Sequence, residues 1–201
     1  MDKSHQGFYF GRFQPFSTKH LDIVRQIIGE NPDMKLSVCV AGWTGERDRN
    51  NFLFGEEVAH ITRLSLLDVG LDNRAGVLVV ELRPEWSLEE SIARVLPKTE
   101  NISAFSGSDK TLGALEMLTS AGLSLRIIRL EDDDVTPPRS REIRESLLKG
   151  NGDWMSAVTD STAQYLSQLW VRTRIMSLPE GGTKRPWASE GNISLQGSER
   201  R

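Results

Sequence analysis

The chain is poor in the residues that build metal centres and disulfide frameworks. It has one cysteine, Cys39, and three histidines, His5, His20 and His60, among 201 residues. No internal disulfide can form, which fits a reducing cytosol and predicts a cytoplasmic protein. No zinc-ligand spacing can be written from so few thiols and imidazoles. The sequence also lacks any run of about 18 apolar residues and any signal-peptide pattern, so neither a membrane span nor export is expected. Charge of one sign is missing too: 25 Lys and Arg face 28 Asp and Glu, a formal net charge of -3. That balance argues against nucleic acid as a partner, and any cation-rich site must be local. What remains is 38% hydrophobic and 26% charged, an ordinary soluble composition in a length that suits one domain with a substantial core.

Apolar runs alternate with helical patterns. Strands are predicted near Gly7–Gly11, Leu36–Ala41, Gly76–Leu82, Ile102–Ser106 and Leu125–Leu130. Helices are predicted at Lys19–Gly29, Gly55–Asp68, Leu88–Leu96 and Lys110–Ala121, then at Ser140–Lys149 and from Trp154 to about Arg174, with Gly150 and Gly152 as the break between those two. Val38, Val40, Val77, Val79, Val80, Ile127 and Ile128 give the runs the strong β-formers of buried parallel strands. The fold class is therefore α/β: a Rossmann-like open parallel sheet of about five strands, helices on both faces and a C-terminal helical segment. Residues 1–176 form the domain. After Met176 the sequence turns rich in Gly, Ser, Pro and charge, and residues 177–201 read as a disordered or loosely draped tail with Trp187 as its one contact. Cutting the tail off after Met176 is expected to leave folding and activity nearly unchanged. No internal repeat is visible.

Chemistry begins at the first strand. The apolar run Gly7–Gly11 ends in a Gly/Pro turn and enters a helix whose apolar stripe is Leu21, Val24, Ile27 and Ile28. Free backbone N–H groups and the positive end of the helix dipole converge at such a junction and make a phosphate site. Arg12 and His20 bracket the turn and can add cationic side chains. This segment predicts a phosphorylated nucleotide as ligand. Phe105-Ser106-Gly107-Ser108-Asp109-Lys110, after the fourth strand, opens a second helix N-terminus of the same kind.

Gly11, Arg12, Phe13, Gln14, Pro15, Phe16, His20 and Leu21 match the signature Gly-Arg-(Phe/Met)-Gln-Pro-Phe-His-x-Gly-His-Leu. The sequence thereby resembles the nucleotidyltransferases related to nicotinamide-mononucleotide adenylyltransferase, especially the archaeal type. Ser17 stands where that family has its first histidine, and Lys19 where it has glycine. Asn50-Asn51-Phe52-Leu53-Phe54-Gly55-Glu56-Glu57 is similar to the family's Asn-Pro-Phe-(Thr/Leu)-x-Gly-Glu-Arg, with Asn51 for proline and Glu57 for arginine. The exchange at Glu57 puts a negative charge where the family has a positive one near the acceptor, which implies a remodelled acceptor pocket. Thr136-Pro137-Pro138-Arg139-Ser140-Arg141-Glu142-Ile143-Arg144 resembles the family's Tyr-Ser-Gly-Thr-Glu-(Ile/Val)-Arg, with Glu142, Ile143 and Arg144 retained and Ser140 and Arg141 where Gly and Thr are usual, and Gly152-Asp153-Trp154 matches the Gly-Asp-Trp that follows it. The likeness runs in order from Gly7 to about Leu169.

The resemblance implies in-line transfer of a nucleotidyl group from an Mg²⁺-bound nucleoside triphosphate to the phosphate of a small acceptor, with loss of pyrophosphate. Arg12 is then assigned to the acceptor or α-phosphate, His20 to the α-phosphate and bridging oxygen, and Arg144 to the β,γ-phosphates, with Lys19 restoring the charge that Ser17 lacks. Gly11, Phe13, Gln14, Ser17, Gly107, Ser108, Asp109, Arg139, Ser140 and Arg141 are assigned to nucleotide or phosphate binding. Gly42 and Trp43 sit where the family encloses the acceptor, and Trp86 where it stacks a tryptophan on the nicotinamide ring. Residue chemistry leaves alternatives for some of these. Trp43 reads also as a cap on the core, Ser87 with Glu90 as a capping box, and Arg139, Arg141 and Arg144 as a solvated basic turn answering Glu131–Asp134. No carboxylate is committed to the metal. ATP with nicotinamide mononucleotide is the reaction the resemblance favours. A CTP-dependent enzyme acting on a small phosphonate or phosphate acid, and a catalytically inactive nucleotide sensor, are the two rivals. A homo-oligomer is left open.

Overall fold

A computed structural model describes residues 5–98, 101–130 and 140–180. Five strands, β1 (Gln6–Gly11), β2 (Lys35–Trp43), β3 (Ala75–Leu82), β4 (Ile102–Ser106) and β5 (Leu125–Arg129), form one sheet in the order β3-β2-β1-β4-β5. Every pairing is parallel. The chain steps outward from β1 through β2 to β3, then crosses back to place β4 on the other side of β1. The carboxyl ends of β1 and β4 therefore part their connections in opposite directions, and a crevice opens between them.

Alternation along β1 shows how the sequence dictates two covered faces. Phe8 and Phe10 point to one side, where they meet Cys39, Val80, Ile92 and Leu115. Tyr9 points to the other, with Val38, Val40, Leu21, Val24, Ile61, Ile143 and Leu166. The first face is closed by α3 (Leu88–Ala93) and α4 (Asp109–Ser120), the second by α1 (Thr18–Glu30), α2 (Gly55–Asp68) and α5 (Ser140–Lys149) with the helices that follow. Burial pushes the Cys39 thiol far up from its usual pKa, so it packs as a small hydrophobe. Ser87 and Glu90 do form the reciprocal capping box that starts α3, at 3.1 and 2.8 Å.

Most element bounds agree with the sequence to within a residue or two, and the end of the chain is where they differ. The single helix expected from Trp154 to Arg174 is a short 3₁₀ turn, Met155–Ala157, followed by α6 (Asp160–Leu166) and α7 (Leu169–Ser177). Extended backbone at Thr159 (ψ 163°) and Gln168 (ψ 132°) interrupts the apolar pattern and lets α6 and α7 turn separately onto the core. Thr162 and Leu166 from α6 and Val171 and Ile175 from α7 are buried.

The described fold also continues past Met176. Pro179 O accepts the Arg49 backbone N–H at 3.1 Å, and Glu180 pairs with the Arg49 guanidinium at 2.8 Å. Trp187 lies outside the described residues. Among the described residues no helix is long and apolar enough to cross a membrane.

Residues 178–180 thus clasp the loop that leads into α2. A chain ending at Glu180 should be more stable than one ending at Met176 by about 1 kcal/mol, the worth of one backbone hydrogen bond plus a surface ion pair. In thermal melts that is a difference of roughly 2–4 °C. Coincident melts would show that the clasp contributes nothing.

Candidate functional site

The crevice at the β1–β4 switch point is a cleft of about 380 Å³. The β1–α1 turn forms its floor. Gly11 ends the strand, and a Cβ there would fall 2.5 Å from the Phe13 ring, so the residue must be glycine. Phe13 itself sits at φ 47°, in the left-handed region that a bulky side chain rarely adopts. Packing holds it there. Its ring is buried edge-on against Tyr9, Phe16 and His20, with centroids 4.9–5.2 Å apart. The Gln14 side chain closes the turn against the loop before α2, with Nε2 donating to Leu53 O at 2.9 Å and Oε1 accepting from Leu53 N at 3.1 Å. One hydrogen and one lone pair of that amide are thus used to hold the turn.

Ser17 N-caps α1, and its backbone N–H donates to His20 Nδ1 at 2.9 Å, with the hydroxyl at the same distance. The amide hydrogen can be accepted only by an unprotonated Nδ1. The ring proton is thereby assigned to Nε2, the nitrogen on the far side of the ring. The backbone N–H at position 17 thus fixes the tautomer and orientation of His20, with the Ser17 hydroxyl against the same nitrogen. Lys19, in the first turn of α1, also lines the cleft.

Arg144 reaches the cleft from α5. It is 8% exposed. One terminal nitrogen donates to Gln14 O at 2.6 Å and the other to Asn50 Oδ1 at 3.2 Å. Its pKa is lowered to about 10, first by burial and then by the like charge of Arg12, with Asp48 and Glu145 offsetting part of the effect. Arg12 is exposed on the cleft rim. Two guanidiniums converging on one concavity, one of them buried, is the electrostatics of a site for a multiply charged anion.

The cleft brings together Gly11, Arg12, Phe13, Gln14, Ser17, Lys19, His20, Gly107, Ser108, Ser140, Arg141 and Arg144. Several of these are partly spent elsewhere. Ser140 Oγ donates to Pro15 O at 2.9 Å, and Arg141 pairs along α5 with Glu145 at 2.8 Å. Arg139 lies outside the described residues.

Four expected site residues do not line the cleft. Asp109 turns away to pair with Arg129 at 2.7 Å. Ser106 Oγ takes the Ser108 N–H and Ser108 Oγ takes that of Thr111, so the start of α4 satisfies its own donors and is a weaker anion cradle than its sequence suggests. Gly42 is needed for packing: a Cβ on Gly55 would lie 2.6 Å from its Cα, so the pair lets α2 approach β2. Trp43 donates from its indole to Glu46 O at 2.7 Å and packs against the core, the cap rather than the ligand platform. Trp86 lies beyond β3 at the sheet edge with the guanidiniums of Arg83 and Arg94 over its ring, at 4.5 and 3.9 Å.

Sequence reasoning missed Tyr9, Phe10, Ile23 and Leu130 as lining, and Ser106, expected within the second helix N-terminus, adds a hydroxyl. It also missed Asn50 as the partner that anchors Arg144. Among the described residues no group of three or more His, Cys, Asp or Glu could hold a metal ion, and no carboxylate lines the cleft.

No protein-family model matches the chain. Similarity to whole proteins is nevertheless extensive. The chain is 29% identical over 164 residues to a nicotinamide-nucleotide adenylyltransferase of Halobacterium salinarum, covering 82% of this chain and 86% of that one. It is 30% identical over 168 residues to an uncharacterised protein of Aeropyrum pernix, covering 83% and 93% respectively. In fold it is similar to a bifunctional NMN adenylyltransferase/ADP ribose pyrophosphatase of Francisella tularensis solved with AMP and a manganese ion, with a TM-score of 0.64 at 12% identity over 86% of this chain. The chain spans about half of that bifunctional protein, 52% of its length. With the β1–α1 signature, the five-stranded parallel sheet and near full-length archaeal relatives in agreement, the chain belongs to the nicotinamide-mononucleotide adenylyltransferase-like family of nucleotidyltransferases.

Proposed function

We propose that this protein transfers the adenylyl group of ATP to the phosphate of nicotinamide mononucleotide and releases pyrophosphate. The observation that carries the reading is the convergence of Arg12, Lys19, His20 and the buried Arg144 on one cleft at the sheet's switch point. An acceptor phosphate is already anionic at neutral pH. Its oxygen attacks the α-phosphorus, a new P–O bond forms as the bond to the β-phosphate oxygen breaks, and no general base is required. Catalysis is then positioning plus stabilisation of charge.

Each side chain has a distinct part in this reading. His20 offers its Nε2 proton to the α-phosphate or bridging oxygen, the ring held by the Ser17 amide at 2.9 Å. Arg144 presents its spare N–H groups to the outer phosphates while Gln14 and Asn50 hold the fork in place. Arg12 spans the acceptor and α-phosphates. Lys19 supplies the charge that Ser17 cannot carry. Tyr9, Ile23 and Leu130 give the nucleoside apolar walls. Magnesium would ride on the triphosphate oxygens and neutralise their charge, which suits a cleft whose described lining carries cations.

Pyrophosphate release, screened across nucleoside triphosphates with nicotinamide mononucleotide and small phosphonates, tests the reading. ATP with the mononucleotide should give turnover. Preference for CTP with a phosphonate would instead fit the extra cations Lys19 and Arg141, and no turnover with any pair would favour a sensor. His20→Ala or Arg144→Ala should lower turnover by at least about 10²-fold in a folded protein. Lys19→Gly should slow it less, and wild-type rates in all three variants would refute the assignment.

Arg144 adds a pH signature. Bound anion favours its charged form, whereas the free protein loses that charge as pH rises through about 10. Calorimetric affinity for a non-hydrolysable ATP analogue should therefore be level from pH 8 to 9 and fall above 10, more steeply than in Arg144→Gln. Parallel pH curves for the two proteins would exclude Arg144 from the triphosphate site.

A further inference from the structure

One departure from the family pattern has no part in the transfer chemistry described above. Asn51 stands where the family has proline, in the loop that leads into α2. A proline stiffens a chain through its fixed φ and offers no N–H. Asn51 is instead buried, 5% exposed, beside Asp48, which is 2% exposed. A carboxylate so deep in a loop is costly to desolvate unless donors repay it.

Asp48 Oδ1 is met by three donors: the backbone N–H groups of Asn50 and Asn51 at 2.9 and 3.0 Å, and Asn51 Nδ2 at 2.8 Å. Asp48 thereby caps the N-terminus of a 3₁₀ turn, Arg49–Asn51. The Asn51 backbone N–H also reaches Asp48 O at 2.9 Å. A proline at position 51 has neither the backbone N–H nor the side-chain amide for these contacts. In this chain, hydrogen bonds to one carboxylate hold the turn that a ring would otherwise stiffen.

What the turn carries is Asn50. Its backbone N–H is fixed by Asp48, and its side-chain Oδ1 accepts from one terminal nitrogen of Arg144 at 3.2 Å. The other terminal nitrogen donates to Gln14 O at 2.6 Å. One of these two contacts on the fork thus depends on where the 3₁₀ turn sits. A carboxylate bonded directly to Arg144 would compete with an incoming anion for its N–H groups. An amide oxygen orients the guanidinium and leaves its charge to the ligand. Asp48 stands one residue further back, where its charge still favours the protonated guanidinium against burial and Arg12. We infer that Asp48 is a positioning residue: by pinning Asn50 and Asn51 it sets the direction in which Arg144 meets the triphosphate. The inference rests on the proposed function and adds to it the residue that aims the buried arginine.

A double-mutant cycle tests it. Asp48→Ala should lower kcat/KM for ATP at least about tenfold while the acceptor KM stays within about twofold of wild type. Asp48→Asn, whose side-chain oxygen can accept the same N–H groups, should return the rate to within about threefold of wild type. In the Arg144→Gln background the Asp48→Ala loss should shrink to about twofold or less, because the residue through which Asp48 acts is gone. A loss equally large in both backgrounds, or no loss in either, overturns the inference and leaves Asp48 as a cap alone. Should Asp48→Ala not fold, Asp48→Ser, a shorter cap for the backbone N–H groups, takes its place throughout, with a loss of at least about threefold. A wild-type protein without turnover sinks the functional reading separately, and guanidinium NMR of the ligand-free protein then decides. The Arg144 Nη–H signals, identified by their disappearance in Arg144→Gln, should be resolved in wild type and Asp48→Asn, where both terminal nitrogens are held, and averaged in Asp48→Ala. Signals alike in all three proteins overturn the positioning role.

Discussion

The guanidinium of Arg144 is where the fold and the site meet. It ties α5 to the β1–α1 turn through Gln14 O and to the loop before α2 through Asn50. It does so almost fully buried and beside a second arginine, an arrangement that weakens its own charge. Burying a cation without a carboxylate partner among the described residues costs stability, and the cost is tolerable where an anion repays it on binding. The cleft geometry follows from that knot. The turn, the loop before α2 and α5 are held to one another around this one side chain, so an arriving anion would meet a preformed set of donors.

The departure at Ser17 changes the chemistry less than its position suggests. A histidine there would bring a second imidazole to the phosphates. The serine instead caps α1 and points the lone pair of His20 Nδ1 inward, which leaves Nε2 as a donor of fixed direction. Lys19, one helical position from His20, returns positive charge to the cleft at the cost of opposing the α1 dipole.

Much of this was legible in the sequence because it is local. A strand of apolar residues, a glycine turn and an amphipathic helix occupy consecutive positions, and the bounds of α2, β4 and α5 follow from periodicity and caps alone. What escaped were side chains whose partners lie far along the chain. Gly42 serves Gly55, Trp86 is covered by Arg94, and Glu57 is claimed by Arg174 from 117 residues away. Asp109 looked like part of an anion cradle until its pairing with Arg129, twenty residues on, was seen. The sequence pattern from Trp154 onward has helical spacing throughout. Only the packing of α6 and α7 on separate parts of the core explains why the chain breaks at Thr159 and Gln168.

The most direct test of the account is a crystal structure with a non-hydrolysable ATP analogue. The triphosphate should lie across the carboxyl ends of β1 and β4, with the α-phosphate within hydrogen-bonding reach of His20 Nε2 and the outer phosphates against Arg144, whose bonds to Gln14 and Asn50 persist. A triphosphate bound elsewhere, or one that leaves both His20 and Arg144 without a phosphate contact, would contradict it.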